Sequence, residues 1–390
     1  MVKSLAVQRA GSSAIRDLLE ITEQPHVLSL AGGLPHAGTF PVDAIARASA
    51  AALDEDPLGA LQYGPTEGYR PLRSWVAVRH GLGTGAAGED RVIVTSGSQQ
   101  ALDLLTRAVV DPGGTIALAD PAYVGALQTF RAAGAHLLAI PADRDGLRVD
   151  VLADRLAEGA RPTLVYVVAN FDNPSGATLS PQRRIDLAAL ADRYGFWIVD
   201  DDPYGELRWS GTAPIALRDL TDRTITLGST SKILTPGLRT GWAVAPPEIQ
   251  RAMTVLKQSA DLHTSSLNQQ IVHRVVTEPG FLPAHVAGLR TTYQRQANHL
   301  VAALRSGLGD RLTVAEPDGG MFLWAELTDP GADTAALLAT AIDHGVAFVP
   351  GAAFGVDDVH RRRMRLSYAT ASPADLDRAV DRLVGALQHR

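Results

Sequence analysis

Short runs of β-branched residues alternate with amphipathic helical patterns between about residues 91 and 244 of this 390-residue chain. In order, the runs are RVIVT, TIALA, HLLAI, TLVYVVA, FWIVD, TITLG and WAVA. Segments such as SQQALDLLTRAVV and PQRRIDLAALADRYG place apolar residues at i, i+3, i+4 and i+7, which is the spacing of a helix with one buried face. This alternation predicts an α/β fold, in which helices cover both faces of a mostly parallel sheet.

The alternation of strand-like and helical patterns ends at Pro246. Helical patterns dominate through residue 308 and include a long helix from about Pro283 to Leu308. Residues 312–390 then contain MFLWAEL, VAFVP and RMRLSYA, which are typical of strands, and a terminal helical pattern. We therefore expect a large α/β domain followed by a small α+β unit.

Composition excludes several classes of function. A net charge of -6 argues against a nucleic-acid binder, which needs clustered positive charge. The absence of cysteine excludes thiolate catalysis and Cys-ligated metals. No secretory signal is recognisable, and no stretch approaches the roughly 18 apolar residues of a membrane span. We expect a cytoplasmic protein that binds neither nucleic acid nor membranes.

Polar residues follow two of the predicted parallel strands. Asp200, Asp201 and Asp202 end the strand FWIV, and Asn173 begins an Asn-Pro-Ser-Gly turn after TLVYVVA. Adjacent side chains of a strand alternate between faces, so the three acids cannot converge on one metal ion, and we expect no metal site. Carboxyl ends of parallel strands are where open α/β sheets bind ligands, although a solvated strand end and an ordinary turn are the alternatives.

Two other strand ends carry groups suited to an anion. Ser98 begins the helix after RVIVT, where free N–H groups can hold an anion, although serine is also a common helix cap. Lys232 follows TITLG, with Ser229, Ser231 and Arg239 nearby. A lysine here could simply be solvated, but the cluster also suits a phosphate, and the amine can form a Schiff base.

The joint order of these motifs resembles that of the fold-type I pyridoxal-phosphate (PLP) aminotransferases, specifically the 2-aminoadipate, kynurenine and branched-chain subgroup. The resemblance runs from SAIRDLLEITEQPHVLSLAGGLP through LQYGPTEGYRPLR, TSGSQQALDLL, DPAYVGALQ, NPSG, DDDPYGEL, SKILTPGLR and GGMFLWAEL to RLSYAT. It implies a mostly parallel seven-stranded sheet between helices and a small α+β domain. The implied boundaries are 1–45 for an N-terminal arm with part of the small domain, 46–284 for the large PLP-binding domain, and 285–390 for the small C-terminal domain.

The resemblance also implies roles around the cofactor ring. Lys232 would hold PLP as a Schiff base and then act as the base that moves the substrate proton. Asp201 would pair with the pyridinium nitrogen, and Asn173 and Tyr204 would hydrogen-bond the ring oxygen. Tyr123, in DPAY, would stack on the ring face.

The cofactor phosphate would be held by five residues of the same chain. These are Ser98, Gln99, Ser229, Ser231 and Arg239. Tyr63, in LQYGPTEGY, matches a tyrosine that reaches the phosphate from the neighbouring subunit. The resemblance therefore implies a homodimer with shared active sites.

Four residues are implied to contact the substrate. Arg365 would clamp the α-carboxylate bidentately, which a lysine does less well. Arg16 matches a mobile arginine that meets distal acidic side chains, although a solvated helix arginine is the alternative. Gly33 and Asn173 would lie beside the substrate.

The expected activity is transfer of an amino group from an L-amino acid to a 2-oxo acid such as 2-oxoglutarate. The donor side chain would be aminoadipate-like, aromatic or leucine-like. Asp172 and Thr230 depart from the usual family motifs, and we expect them to change the walls and charge of the pocket. Such departures also fit PLP enzymes that catalyse elimination, γ-replacement on substrates such as S-adenosylmethionine, or oxidation. A PLP-binding regulatory module is the remote alternative, because the aminotransferase pattern begins by about residue 13 and leaves no room for a winged-helix arm.

Overall fold

The structure, a computed structural model, describes residues 3–11, 24, 26–357 and 359–388. The α-helices in these residues are α1 (Leu5–Ala10), α2 (Val42–Glu55), α3 (Pro57–Leu61), α4 (Arg70–Arg79), α5 (Ala86–Glu89), α6 (Ser98–Val109), α7 (Val124–Ala132), α8 (Val149–Ala157), α9 (Pro181–Tyr194), α10 (Pro247–Ala260), α11 (Ser266–Thr277), α12 (Phe281–Leu308), α13 (Thr334–Asp343) and α14 (Pro373–Gln388). The strands are β1 (Leu28–Ser29), β2 (Val92–Thr95), β3 (Thr115–Asp120), β4 (His136–Asp143), β5 (Gly146–Leu147), β6 (Leu164–Val167), β7 (Trp197–Asp201), β8 (Thr224–Ser229), β9 (Gly241–Val244), β10 (Leu312–Thr313), β11 (Phe322–Leu327), β12 (Val346–Ala347), β13 (Val349–Pro350) and β14 (Arg363–Ser367). None of the described helices has the length and apolar character needed to cross a bilayer.

The central sheet confirms the predicted α/β architecture. Its strand order is β2-β9-β8-β7-β6-β3-β4-β5, and the neighbours from β8 to β4 all pair in parallel. The sheet has eight strands, one more than the seven expected. The additional strand, β5, is a two-residue antiparallel partner of β4. Two residues are too few to produce a periodic pattern, and this is why the sequence did not indicate it.

Helices cover both faces of this sheet, because alternate residues of each buried strand point to opposite sides. Ile116 and Leu118 of β3 belong to a core that includes Leu102 and Leu105 of α6. Ala117, between them, belongs to a second core with side chains of α8 and α9. Burial on both sides explains why the strands read as continuous apolar runs.

The C-terminal part forms the expected small α+β unit. Its antiparallel sheet has the order β10-β11-β14-β13, and Arg365 of β14 lies opposite Trp324 of β11. Helix α12 buries residues at intervals of three and four, including Leu289, Tyr293 and Leu300. Near the N-terminus, β1 pairs in parallel with β12 of this unit.

The sheet brings the ends of several strands to one edge. Strands β3, β6, β7 and β8 are parallel, and β2 runs in the same direction because both β2 and β8 are antiparallel to β9. The segments that follow these strands therefore start at a common edge, which is the usual place for a ligand in such a sheet.

Candidate active site

A cavity of about 470 Å³ lies at this edge, between the central sheet and the small unit. It brings together most of the predicted site residues. Those that line it are Gly33, Ser98, Gln99, Tyr123, Asn173, Asp201, Tyr204, Ser229, Ser231, Lys232, Arg239 and Arg365.

The two other predicted site residues lie elsewhere. Tyr63 is on the surface with 77% of its area exposed, and its ring meets the ring of His263 edge-on at 5.7 Å. Arg16 falls outside the described residues. The cavity is thus built by residues from across the chain, and Tyr63 is not part of its lining.

Lys232 directs its amine toward the N-terminal segment of the chain. Its Nζ donates a hydrogen bond to the carbonyl oxygen of Gly33 at 2.7 Å. Burial, together with the positive charges of Arg365 and Arg239, lowers the pKa of Lys232 to about 8. A substantial fraction of this amine is therefore neutral close to physiological pH, as a nucleophile or base requires.

Asp201 is the last residue of β7 and is buried. Its Oδ2 accepts a hydrogen bond from the Tyr166 hydroxyl at 2.9 Å. Its Oδ1 is also buried and has no hydrogen-bond partner among the described residues. Burial raises the pKa of Asp201 to about 7, against the opposing effect of the Tyr166 hydrogen bond. A buried acceptor of this kind is suited to a charged N–H donor from a ligand.

The neighbouring acids point away from the cavity, as the strand alternation predicts. Asp202 accepts hydrogen bonds from the Asn170 amide at 3.0 Å and from the backbone N–H of Gly205 at 2.8 Å. These bonds fix the turn that leads to Tyr204. Asp200 is buried and, like Asp202, is absent from the described lining of the cavity.

Arg365 is held on a small-unit strand at the other wall of the cavity, with only 2% of its area exposed. Its two terminal nitrogens donate to Asn173 Oδ1 at 2.8 Å and to the Ala31 carbonyl at 2.6 Å. The guanidinium lies 4.3 Å from the ring centre of Phe322 and 5.1 Å from that of Phe354. Its Nε, although buried, has no partner within the part of the chain that the structure describes. Burial lowers the pKa of Arg365 to about 10, so the side chain stays cationic at neutral pH.

The turn that is predicted to bind an anion, residues 95–98, lies at the start of α6. Ser98 is the first residue of this helix, and Gly97 before it has φ +87°. A side chain at position 97 would come within 2.5 Å of an Arg239 guanidinium nitrogen, so glycine lets Arg239 approach the turn. Arg239 itself adopts a left-handed conformation, with φ +46°, which is uncommon for a residue with a side chain.

The other predicted phosphate residues differ in how freely they can donate. The hydroxyl groups of Ser229 and Ser231 are 2.9 Å apart and face the cavity. The amide nitrogen of Gln99 instead donates to Thr129 Oγ1 at 2.7 Å and to the Gly125 carbonyl at 3.2 Å. Gln99 lines the cavity, but its side-chain donor is engaged with α7.

Aromatic side chains form part of the wall of the cavity that Asp201 also lines. Tyr204 is 5% exposed and meets Phe322 edge-on at 5.9 Å. Burial raises the pKa values of both Tyr204 and Tyr123 above the ordinary tyrosine value. Both hydroxyl groups therefore remain protonated at neutral pH and can donate hydrogen bonds.

The two departures from the family motifs do not reach the cavity lining described here. The Thr230 hydroxyl donates to the Thr240 carbonyl at 3.0 Å, inside the protein. Asp172 is buried and accepts a hydrogen bond from the Ser175 hydroxyl at 2.6 Å. Burial raises the pKa of Asp172 to about 6. Their expected effect on the pocket walls is therefore not seen.

Sequence reasoning missed several residues of the site. Tyr166, which supports Asp201, lies on β6 in register with Val199 of β7. Since Asp201 is two residues after Val199, the two side chains share a face, and a known strand order would have predicted the contact. Apolar and polar side chains that also line the cavity are Leu34, Val124, Gln128, Val168 and Phe322. An ordinary core position gives the same pattern, so no sequence signal separates them.

Comparison with known proteins now identifies the family. The model for the family Aminotransferase class I and II matches residues 25–383. Aromatic-amino-acid aminotransferase 1 of Thermococcus litoralis is 38% identical, covering 97% of this chain and 92% of that relative. The 2-aminoadipate transaminase of Thermus thermophilus is 39% identical, covering 97% and 95%. The solved α-aminoadipate aminotransferase of Thermus thermophilus, complexed with N-(5'-phosphopyridoxyl)-L-leucine, superposes with a TM-score of 0.92 at 36% identity, covering 99% of this chain and 97% of that one.

The fold and the cavity are those of a PLP-dependent enzyme of fold type I. The chain belongs to the class I and II aminotransferase family. It is an aminotransferase, and its cofactor is pyridoxal 5'-phosphate.

The residues of the cavity fit this cofactor. The unpaired Oδ1 of Asp201 offers a buried acceptor for a ring N–H. Ser98 at the helix start, the paired serine hydroxyls and Arg239 offer donors for a phosphate. Lys232 supplies an amine with a lowered pKa between these two ends. Acceptor, amine and phosphate donors are the three features that binding of this cofactor requires.

Proposed function

We propose that this aminotransferase moves the amino group of an L-amino acid to a 2-oxo acid such as 2-oxoglutarate. The substrate names of its relatives favour a donor with an aminoadipate-like, aromatic or leucine-like side chain. The observation that carries the proposal is the meeting of Lys232, Asp201 and Arg365 around one cavity. Cytoplasmic location belongs to the same proposal.

The cofactor, when bound, supplies a conjugated ring that accepts the electron pair released at the substrate Cα. Asp201 would hold the ring nitrogen through its free Oδ1, and Tyr204 with Asn173 would donate to the ring oxygen. Tyr123 would cover one face of the ring. The phosphate would be held by Ser98, Gln99, Ser229, Ser231 and Arg239, with the Gln99 contact coming from its backbone because its amide is engaged.

Lys232 would be both the anchor of the cofactor and the base. Its Nζ would carry the proton between the substrate Cα and C4′ of the cofactor, in one direction for the amino donor and in the reverse direction for the 2-oxo acid. The Gly33 carbonyl, 2.7 Å from Nζ, orients the amine between these steps. Gly33 would also border the substrate through its backbone.

Arg365 would bind the substrate α-carboxylate. Its buried Nε has no partner among the described residues, and aromatic rings on the guanidinium restrict its orientation. A planar, fixed guanidinium favours bidentate carboxylate binding. Asn173, which accepts from the same guanidinium, links this carboxylate site to the cofactor ring.

A homodimer with shared active sites is the proposed assembly. The surface exposes Leu58, Leu61 and Tyr63, at 73%, 70% and 77% of their areas. Adjacent large apolar side chains of this kind are typical of an interface. Tyr63 would contact the phosphate of the partner's cofactor. Sedimentation of the holoenzyme at the monomer mass would contradict this assembly.

A half-reaction tests the proposed chemistry. The PLP-loaded enzyme is mixed with single amino acids in the absence of a 2-oxo acid, while cofactor absorbance and keto-acid release are followed. We expect stoichiometric keto-acid release, and restoration of the starting absorbance on addition of 2-oxoglutarate. Continuous release of ammonia or of a leaving group without any 2-oxo acid would instead favour elimination or replacement.

A donor screen with wild type and Arg16→Ala tests the side-chain preference. If Arg16 meets distal carboxylates, the variant should lose activity selectively toward acidic donors. Unchanged preferences would dismiss that role and leave Arg16 as a solvated arginine.

A further inference from the structure

Lys257 has a completely buried side chain directly behind the predicted anion-binding turn. Its Nζ donates to both carboxylate oxygens of Asp261, at 2.7 and 2.8 Å, and to Gln100 Oε1 at 3.1 Å. Asp261 lies four residues further on, just after the end of α10. Lysine is almost never fully buried unless it is paired, and the partner of Lys257 is a carboxylate at the protein surface, with 26% of its side chain exposed.

Ser96, in the turn before α6, is the residue on which the cluster converges. Its backbone N–H donates to Gln100 Oε1 at 2.7 Å, and its hydroxyl donates to Asp261 Oδ2 at 3.2 Å. Its carbonyl oxygen accepts from an Arg239 guanidinium nitrogen at 2.9 Å. Ser96 is therefore held by the Lys257 cluster on one side and holds Arg239 on the other.

The side-chain amide of Gln100 completes the connection. Its oxygen accepts from both Lys257 and Ser96, and its nitrogen donates to Asp261 Oδ2 at 2.7 Å. Each polar atom of this amide thus has a partner, and the amide can hold only one orientation. Movement of Lys257 would be passed through Gln100 to the backbone of Ser96.

The charges support the same picture. Burial lowers the pKa of Lys257, and Asp261 opposes this effect. Burial alone would raise the pKa of Asp261, but hydrogen bonds from Lys257, Gln100 and Ser96 outweigh it and lower the pKa. The cluster is thus an ion pair between a fully buried amine and a carboxylate whose side chain is 26% exposed. Its hydrogen bonds to Gln100 and Ser96 help to offset the cost of burying the Lys257 charge.

We propose that Lys257 is a positioning residue for the cofactor phosphate. Through Gln100 and Asp261 it fixes Ser96, and through Ser96 it fixes Arg239 and the first turn of α6. It touches no reacting atom, and its effect is confined to the phosphate end of the cofactor. This inference rests on the proposed function, since it requires that the phosphate binds at this turn.

The test compares two ligands that differ only in the phosphate. Apoenzyme is titrated with PLP and with pyridoxal, which lacks the phosphate, and the ratio of the two dissociation constants is determined. The variants are Lys257→Met and Gln100→Met, and Lys3→Met, at an exposed lysine, is the matched control. Gln100→Met leaves the Lys257–Asp261 ion pair in place, so it remains informative if loss of the buried charge prevents folding.

Both cluster variants should weaken PLP binding about tenfold, the effect of about one hydrogen bond to a charged group, with little change for pyridoxal. The control should match wild type for both ligands. Equal weakening for PLP and pyridoxal, or no weakening in a folded Gln100→Met variant, would overturn the positioning role. Wild-type protein that binds PLP no better than pyridoxal would instead contradict the proposed phosphate site itself.

Discussion

Replacing Arg365 by lysine should weaken catalysis strongly and cofactor binding much less, because the guanidinium reaches the cofactor ring only through Asn173. The positive charge and the aliphatic stem are retained, but the planar fork of N–H groups is lost. Arg365 is proposed to bind the substrate α-carboxylate and is not among the proposed cofactor ligands. The substitution therefore distinguishes the substrate-carboxylate site of the cavity from its cofactor site.

The size of the effect follows from the contacts of the guanidinium. Two of its nitrogens hold Asn173 Oδ1 and the Ala31 carbonyl at 2.8 and 2.6 Å. A single ammonium group cannot keep both contacts and also offer two parallel donors to a carboxylate. A hydrogen bond to a charged group contributes about 1.5–3 kcal/mol. We therefore expect kcat/KM for the amino donor to fall by a factor of about 10 to 100.

Single-turnover kinetics with an L-amino acid, together with PLP titration of the apoenzyme, measure the two quantities. Arg363→Lys is a matched control on the same strand, because Arg363 pairs with Glu326 outside the cavity at 3.1 Å. That variant should retain kcat/KM within about twofold, as expected for a partly exposed ion pair. Unchanged kinetics in Arg365→Lys, or equal losses of substrate and PLP affinity, would refute the assigned role.

Three further experiments test the residues that are proposed to hold the cofactor. Lys232→Ala should abolish the absorbance of the covalently bound cofactor. Lys257→Ala should still show this absorbance once PLP is saturating, and difference spectra of the two variants test both expectations. Asp201→Asn should reduce kcat more than PLP affinity, by roughly two or more orders of magnitude if one charged hydrogen bond that strengthens during reaction is lost, and equal kcat in a stopped-flow assay would contradict it. The second-order rate constant for covalent PLP incorporation, measured at low PLP, should rise with pH to a plateau above about 8. This constant reports the unliganded enzyme, in which the pKa of Lys232 is lowered to about 8 and only the neutral amine attacks. A rise that continues to pH 10 would instead indicate an ordinary solvated lysine.

The sequence predicts most of the sheet, because its main strands are apolar runs and several of them are followed by helices of 3.6-residue periodicity. The strand ends also predicted which polar residues share one edge, since all parallel strands end there. The sequence alone therefore predicts that Asp201, Lys232 and Ser98 lie at the same edge of the sheet. Their roles came from resemblance to a family and remain proposals.

Contacts between distant segments could not be read in the same way. The bonds from Arg365 to Asn173 and Ala31 join β14 to the turn after β6 and to the segment after β1, which are far apart in the sequence. The spacing of apolar residues along the sequence does not predict such a contact. Lys257 shows the same limit, because its helix pattern gives no sign that its amine reaches Gln100 near the phosphate turn. Gln99 shows the same limit in another way, because its position in the sequence favours a phosphate contact but its side-chain amide is hydrogen-bonded to α7.

The charges in the cavity connect binding to reactivity. Among the described lining residues, Lys232, Arg239 and Arg365 are cationic and Asp201 is the carboxyl, although the chain as a whole has a net charge of -6. The two arginines both lower the pKa of Lys232. An anion bound to either arginine offsets that repulsion and raises the proton affinity of the amine. Binding of the phosphate and of the substrate carboxylate should therefore make Lys232 a stronger base at the moment when the Cα proton must be removed.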